Sequence, residues 1–126
     1  MDEGNCSNQT VIAVSGQRVH LPCSTTSDLP VDWYVQRPGP AASPKPIFAT
    51  VVVDRRYDVD ILNGRCPGEN RTVVCRSYDL VIENCGLDDG ALYTCCEHGD
   101  DLDNALCAFW LIITGYSSSI FSGSWS

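Results

Sequence analysis

Histidine and basic residues are scarce in this 126-residue chain, and nowhere does it run apolar for the ~18 residues that a bilayer-spanning helix needs. Each shortage removes a class of function. With only two histidines, His20 and His98, a nucleophile, a base and an orienting group have little room to converge. His20 falls on the outward parity of its strand and reads as solvated, whereas His98 sits in a loop where a contact role fits. No glycine-rich loop of the phosphate-cradling kind is present, so the chain is not expected to be an enzyme. Eight basic residues against 16 acidic ones leave a net charge of −8, which disfavours nucleic acid and anionic membrane as partners. No C-x-x-C pair exists, and neighbouring Cys95 and Cys96 would point to opposite faces of a strand, so neither zinc nor a cofactor is expected. The start, Met1-Asp2-Glu3-Gly4, lacks the basic and apolar blocks of a signal peptide. Met1 is read as an expression start, with any native signal, stalk or anchor trimmed away.

What the chain does have is cysteine. Eight in 126 residues point to an oxidising, extracellular setting, cell-surface or secreted, because reducing compartments keep thiols free. Three acceptor triplets for N-glycosylation, at Asn5, Asn8 and Asn70, agree with that compartment. No window holds a helical period. Instead, Val19, Leu21 and Cys23 alternate with polar neighbours, as do Tyr78, Leu80 and Ile82. Further strand-like segments run over Thr10 to Val14, Val31 to Gln36, Lys45 to Val53, Arg56 to Leu62, Ala91 to Cys96 and Ala108 to Thr114. Short strands separated by turn signals predict an all-β, two-sheet sandwich. One domain over residues 9–114 is expected, after a lead-in at 1–8 and before a Ser/Gly-rich stalk, linker or tail at 115–126.

Cys23 precedes Trp33 by ten residues, and Cys95 closes the run Asp89-Gly90-Ala91-Leu92-Tyr93-Thr94. This framework resembles an immunoglobulin V domain, which implies a V-type Greek-key sandwich. The resemblance implies a Cys23–Cys95 bridge between the sheets, with Trp33 packed over it and Tyr93 forming a tyrosine corner. It also implies an ion pair between Asp89 and Arg56. Trp33-Tyr34-Val35-Gln36, followed by Pro44-Lys45-Pro46-Ile47-Phe48, is similar to antibody light-chain and T-cell-receptor frameworks. There, the outer face of the sheet built from strands G, F, C and C′ meets a second V domain. That likeness implies a pairing face of Tyr34, Gln36, Pro44, Phe48 and Phe109. The chain departs from antigen receptors in lacking the Phe-Gly-x-Gly bulge after Phe109 and in carrying extra residues with Cys66 and Cys75. A germline-type immune receptor, adhesion molecule or decoy fits better than a rearranging receptor.

Within that frame, Cys66–Cys75 would pin the lengthened tip of the hairpin between strands D and E, and Cys96–Cys107 would flank the F–G loop. Cys6 is left with Cys107, Cys96 or a second chain, and Cys85 reads as a buried thiol. The F–G loop carries Glu97, His98, Asp100, Asp101 and Asp103, a set suited to a basic protein surface. Its clustered oxygens would also suit calcium, although no metal site is expected. Two functions follow. The first is recognition of a protein ligand by the F–G loop and the sheet face. The second is a V–V pairing module, as a homodimer or a mixed pair.

Overall fold

The computed structural model describes residues 8–26, 29–39, 43–49, 53, 56–65 and 74–115, with the backbone alone at 63–65, 74, 75 and 103. Among the described residues, nine strands form two sheets: β1 (Gln9–Val14), β2 (Val19–Leu21), β3 (Ser24–Thr25), β4 (Val31–Gln36), β5 (Lys45–Ala49), β6 (Asp58–Arg65), β7 (Val74–Ile82), β8 (Ala91–Glu97) and β9 (Cys107–Thr114). The five-stranded sheet runs β1-β9-β8-β4-β5, and the second has β7 between β6 on one side and β2 with β3 on the other. Helical structure among the described residues is confined to two short 3₁₀ turns, Leu87–Asp89 and Leu102–Asn104. The chain therefore folds as the all-β, two-sheet sandwich of V type, cross-linked by Cys23–Cys95.

Local chemistry explains the element ends. β2 and β3 are one strand interrupted at Pro22-Cys23, where proline has no amide N–H for the ladder. The gap is bridged by Asp79, whose Oδ1 accepts from the Cys23 amide at 3.1 Å, while the Tyr78 amide donates to the Cys23 carbonyl at 2.7 Å. β1 ends in a tight turn where Gly16 takes φ +96°, a left-handed conformation that penalises any side chain. The Gly16 amide donates to the Cys85 carbonyl, and the Cys85 amide to the Gln17 carbonyl, tying this turn to the one that follows β7.

Alternation then builds the core. In β9 the residues Cys107, Phe109 and Leu111 face inward and are buried, while Trp110 and Ile112 between them are exposed. Trp33 is wholly buried, stacks on Phe109 at a centroid distance of 6.0 Å and donates its indole N–H to the Tyr78 carbonyl at 2.7 Å. Two residues expected on the pairing face are thus core residues. Phe109 has inward parity, and Phe48 packs against Tyr78 at 6.4 Å. The cause at Phe48 is a β-bulge: Trp33 pairs with Phe48 but Tyr34 pairs with Pro46, so Ile47 is the extra residue. Both Ile47 and Phe48 consequently end up buried.

Candidate functional site on the outer sheet face

The outer face of the five-stranded sheet collects what the inner face leaves over. Tyr34 and Gln36 of β4 lie beside Thr94 and Leu92 of β8, which pair with Ala108 and Trp110 of β9. β1 runs parallel to β9, so Thr10 sits beside Trp110 and Ile12 beside Ile112. Ile12, Trp110 and Ile112 keep 67 %, 48 % and 47 % of their surface exposed, a cluster of neighbouring apolar side chains of the kind that marks interaction surfaces. Next to this stripe lies a cavity of about 320 Å³. Tyr34, Gln36, Thr94 and Ala108 of the sheet line it together with Pro44, Leu92, Leu102, Ala105 and Asn8.

Above the cavity, the loop between β8 and β9 is folded onto its own domain. The Leu102–Asn104 turn brings Leu102 to the cavity, and the Leu106 amide donates to the Cys95 carbonyl at 2.8 Å. The acidic residues of this loop divide by task. Asp100 Oδ1 accepts from the Asp101 amide and from Asn104 Nδ2, so it shapes the loop. Glu97 Oε2 accepts from Thr25 Oγ1 at 3.4 Å. His98 Nδ1 meets both carboxylate oxygens of Asp32, at 2.9 and 3.1 Å, and its amide donates to the Pro30 carbonyl. Asp101 is exposed, and the Asp103 side chain lies outside the described residues. Asp32 is buried, yet nothing in the sequence distinguishes it from a solvated carboxylate at an outward position.

Cysteine chemistry differs from expectation here. Cys96 carries a free thiol and is fully buried, so the expected Cys96–Cys107 bridge is absent. The register explains this: Cys107 stands opposite Cys95, not Cys96, and antiparallel neighbours on opposite parities face opposite sides of the sheet. Cys107 is itself disulfide-bonded, to a partner outside the described residues. Burial, then the charges of Asp32, Asp100 and Asp101, push the Cys96 thiol up to about 11. The Tyr34 phenol is raised as well, by its partial burial and by Asp32. The Sγ atoms of Cys23, Cys95 and Cys107 lie within 4.8 Å of one another, but all three are in disulfides and offer no thiolate to a metal. Cys85 is a buried free thiol whose Sγ donates to the Val14 carbonyl. Cys6, Cys66, Asn5, Asn70 and residues 116–126 lie outside the described residues, as does the Cys75 side chain.

At the opposite end of β8 the framework is a connected polar network. Tyr93 Oη donates to the Asp89 carbonyl at 2.6 Å, closing the corner between the 3₁₀ turn and β8. Arg56 Nε donates to Asp89 Oδ1 at 2.6 Å, and the Gly86 amide to Asp89 Oδ2 at 2.7 Å. Burial alone would raise the Asp89 pKa. The two hydrogen bonds, with the charges of Arg56 and Arg37, outweigh it and hold the carboxyl below its ordinary range. Burial, with the neighbouring Tyr57 hydroxyl and Asp89, pushes the Tyr93 phenol far above its usual range. Arg37 completes the chain by donating to Tyr57 Oη.

Sequence reasoning missed most of the outer face. Strand parity would have found Trp110, Ile112 and Ile12 but was not applied to those strands, whereas Asn8, Leu102 and Ala105 reach the cavity only through the parallel β1–β9 pairing and the loop fold. A search of characterised proteins finds no match to this chain. The model of the immunoglobulin V-set domain matches residues 7–105, which hold the inter-sheet disulfide, the buried Trp33 and the Tyr93 corner. On that match and that architecture, the chain belongs to the immunoglobulin V-set family.

Proposed function

We propose that this domain recognises a protein ligand through the outer face of its five-stranded sheet, with the β8–β9 loop as a selective rim. Domains of the family are typically extracellular modules of recognition or adhesion, and typically not catalysts. One observation carries the reading for this chain: Ile12, Ile112 and Trp110 form an exposed apolar stripe continuous with the half-buried Leu92 and Tyr34. Fully covering a side chain of this size contributes about 1.5–3 kcal/mol, and each of the three has roughly half that surface left to bury. Asp100 and Asp101, in the loop that precedes β9 on the same sheet, favour a partner that adds basic residues to an apolar contact, charge acting mainly on encounter rate and selectivity.

The test is cell staining with a multimer of the domain. Trp110→Ala and Asp101→Lys should each reduce staining. Leu62→Ser, on an exposed position of the other sheet, should leave it unchanged. Staining that survives Trp110→Ala and falls with Leu62→Ser would move the site to the opposite sheet.

A second reading, pairing with another V domain, draws support from Tyr34, Gln36 and Pro44 meeting around one cavity. It predicts a dimer that dissociates on dilution without reductant, and whose mass falls to the monomer's in Tyr34→Ala. Phe109→Ala is not a test of this interface, because Phe109 is core.

A further inference from the structure

The cavity on the outer face is lined in part by residues outside β4, β8 and β9. One of these is Asn8, an exposed residue immediately before β1 and the first of the triplet Asn8-Gln9-Thr10. In the parallel register, Gln9 stands beside Phe109 and Thr10 beside Trp110, which places Asn8 next to Ala108. Phe109 is buried and Trp110 exposed, so the alternation puts Asn8 and Thr10 on the side of Trp110. The acceptor amide therefore opens onto the proposed recognition surface. Gln9, Asn8 and Thr10 are all exposed, as a modification site must be. The triplet meets the sequence requirement for N-linked glycans.

We propose that N-glycosylation of Asn8 controls access to the outer sheet face, the glycan covering the cavity and the Tyr34–Trp110 stripe and the bare asparagine leaving them open. This inference rests on the reading of that face as the recognition surface. The donor is a lipid-pyrophosphate-linked oligosaccharide. Asn8 Nδ2 forms a bond to the anomeric carbon, and the bond from that carbon to the pyrophosphate oxygen breaks. The lipid pyrophosphate leaves with the electron pair, and the displaced amide proton passes to a base of the transferring enzyme or to solvent. At about 320 Å³ the cavity lies at the lower end of small-ligand sites, enough for the first sugar beside Tyr34 and Gln36. Later sugars then extend over β8 and β9.

The experiment compares three proteins secreted from a glycosylating host: the wild-type chain, Asn8→Gln, and Thr10→Ala, which keeps the asparagine but destroys the triplet. Glycopeptide mass spectrometry reads occupancy, and oxidative footprinting reads the accessibility of Tyr34 and Trp110 against Ile61 and Leu62 on the other sheet. Labelling of Tyr34 and Trp110 should rise severalfold in both variants, with Ile61 and Leu62 unchanged. An unoccupied Asn8, or equal labelling in all three proteins, would overturn the proposal. So would a rise confined to Asn8→Gln, because the effect would then belong to the side chain. Multimer staining separates the two readings: footprint protection by the glycan without any change in staining sustains the shield and rejects this face as the docking surface.

Discussion

Asp89 is a carboxylate with almost no exposed surface, kept charged by Arg56, the Gly86 amide and the more distant Arg37. Because its folded pKa is depressed, its contribution to stability is complete above the unfolded value of about 4 and is lost as pH falls through the lower folded value. Urea melts of the wild type and Asp89→Asn should therefore differ most near neutral pH and converge below about pH 4. Arg56→Met should cost about 3 kcal/mol at neutral pH, the low end for a broken buried pair, since Arg56 itself is 43 % exposed. A cost under about 0.5 kcal/mol would mean that water replaces the guanidinium. Cys96 gives a second residue-scale test. With its thiol pushed up to about 11, roughly one molecule in a thousand is thiolate at pH 8, and the sulfur is buried as well. Iodoacetamide should leave Cys96 unmodified in the native protein and modify it after denaturation without reductant. Modification only after reduction would restore a bridge at this position.

Among the elements, β9 separates folding from recognition one residue at a time. Phe109→Ala should cost about 3–5 kcal/mol in denaturant melts, because it empties the space stacked against Trp33. Trp110→Ala should stay within about 0.5 kcal/mol of the wild type while reducing cell staining. The reverse pattern would place Trp110 in the core. This strand also shows where sequence reasoning stops. Alternation in Val19–Leu21 and Tyr78–Ile82 was readable, and with the spacing of Cys23, Trp33 and Cys95 it carried the fold, whereas the parity of Phe109 and Trp110 was not read and Phe109 was placed on the outer face. The likeness to antigen-receptor frameworks put Phe48 on the outer face, whereas the bulge at Ile47, next to Pro46, turns it into the core. The pairing of Cys96 with Cys107 failed for a related reason. Sequence proximity to the loop was read without the register, which sets Cys107 opposite Cys95. Asp32 with His98 spans strand and loop, and no local pattern foretells which carboxylate a loop histidine will meet.

At the scale of the whole molecule, a net charge of −8 sets two copies against each other before any contact forms. Light scattering over a dilution series should therefore find a monomer at low ionic strength, where the screening length exceeds about 10 Å. A dimer that persists there would mean that the apolar stripe overcomes the repulsion, and would favour V–V pairing over a basic ligand.

β1 and β9 are parallel neighbours, and Thr114 Oγ1 donates to the Ala13 carbonyl 101 residues away. On the ribosome, β1 is made before the other described strands and β9 after them, so β1 waits for β9 before it can pair. Until then β8 has β4 on one side and an open edge on the other. Nascent chains are therefore most vulnerable to strand-edge association just before synthesis reaches Cys107.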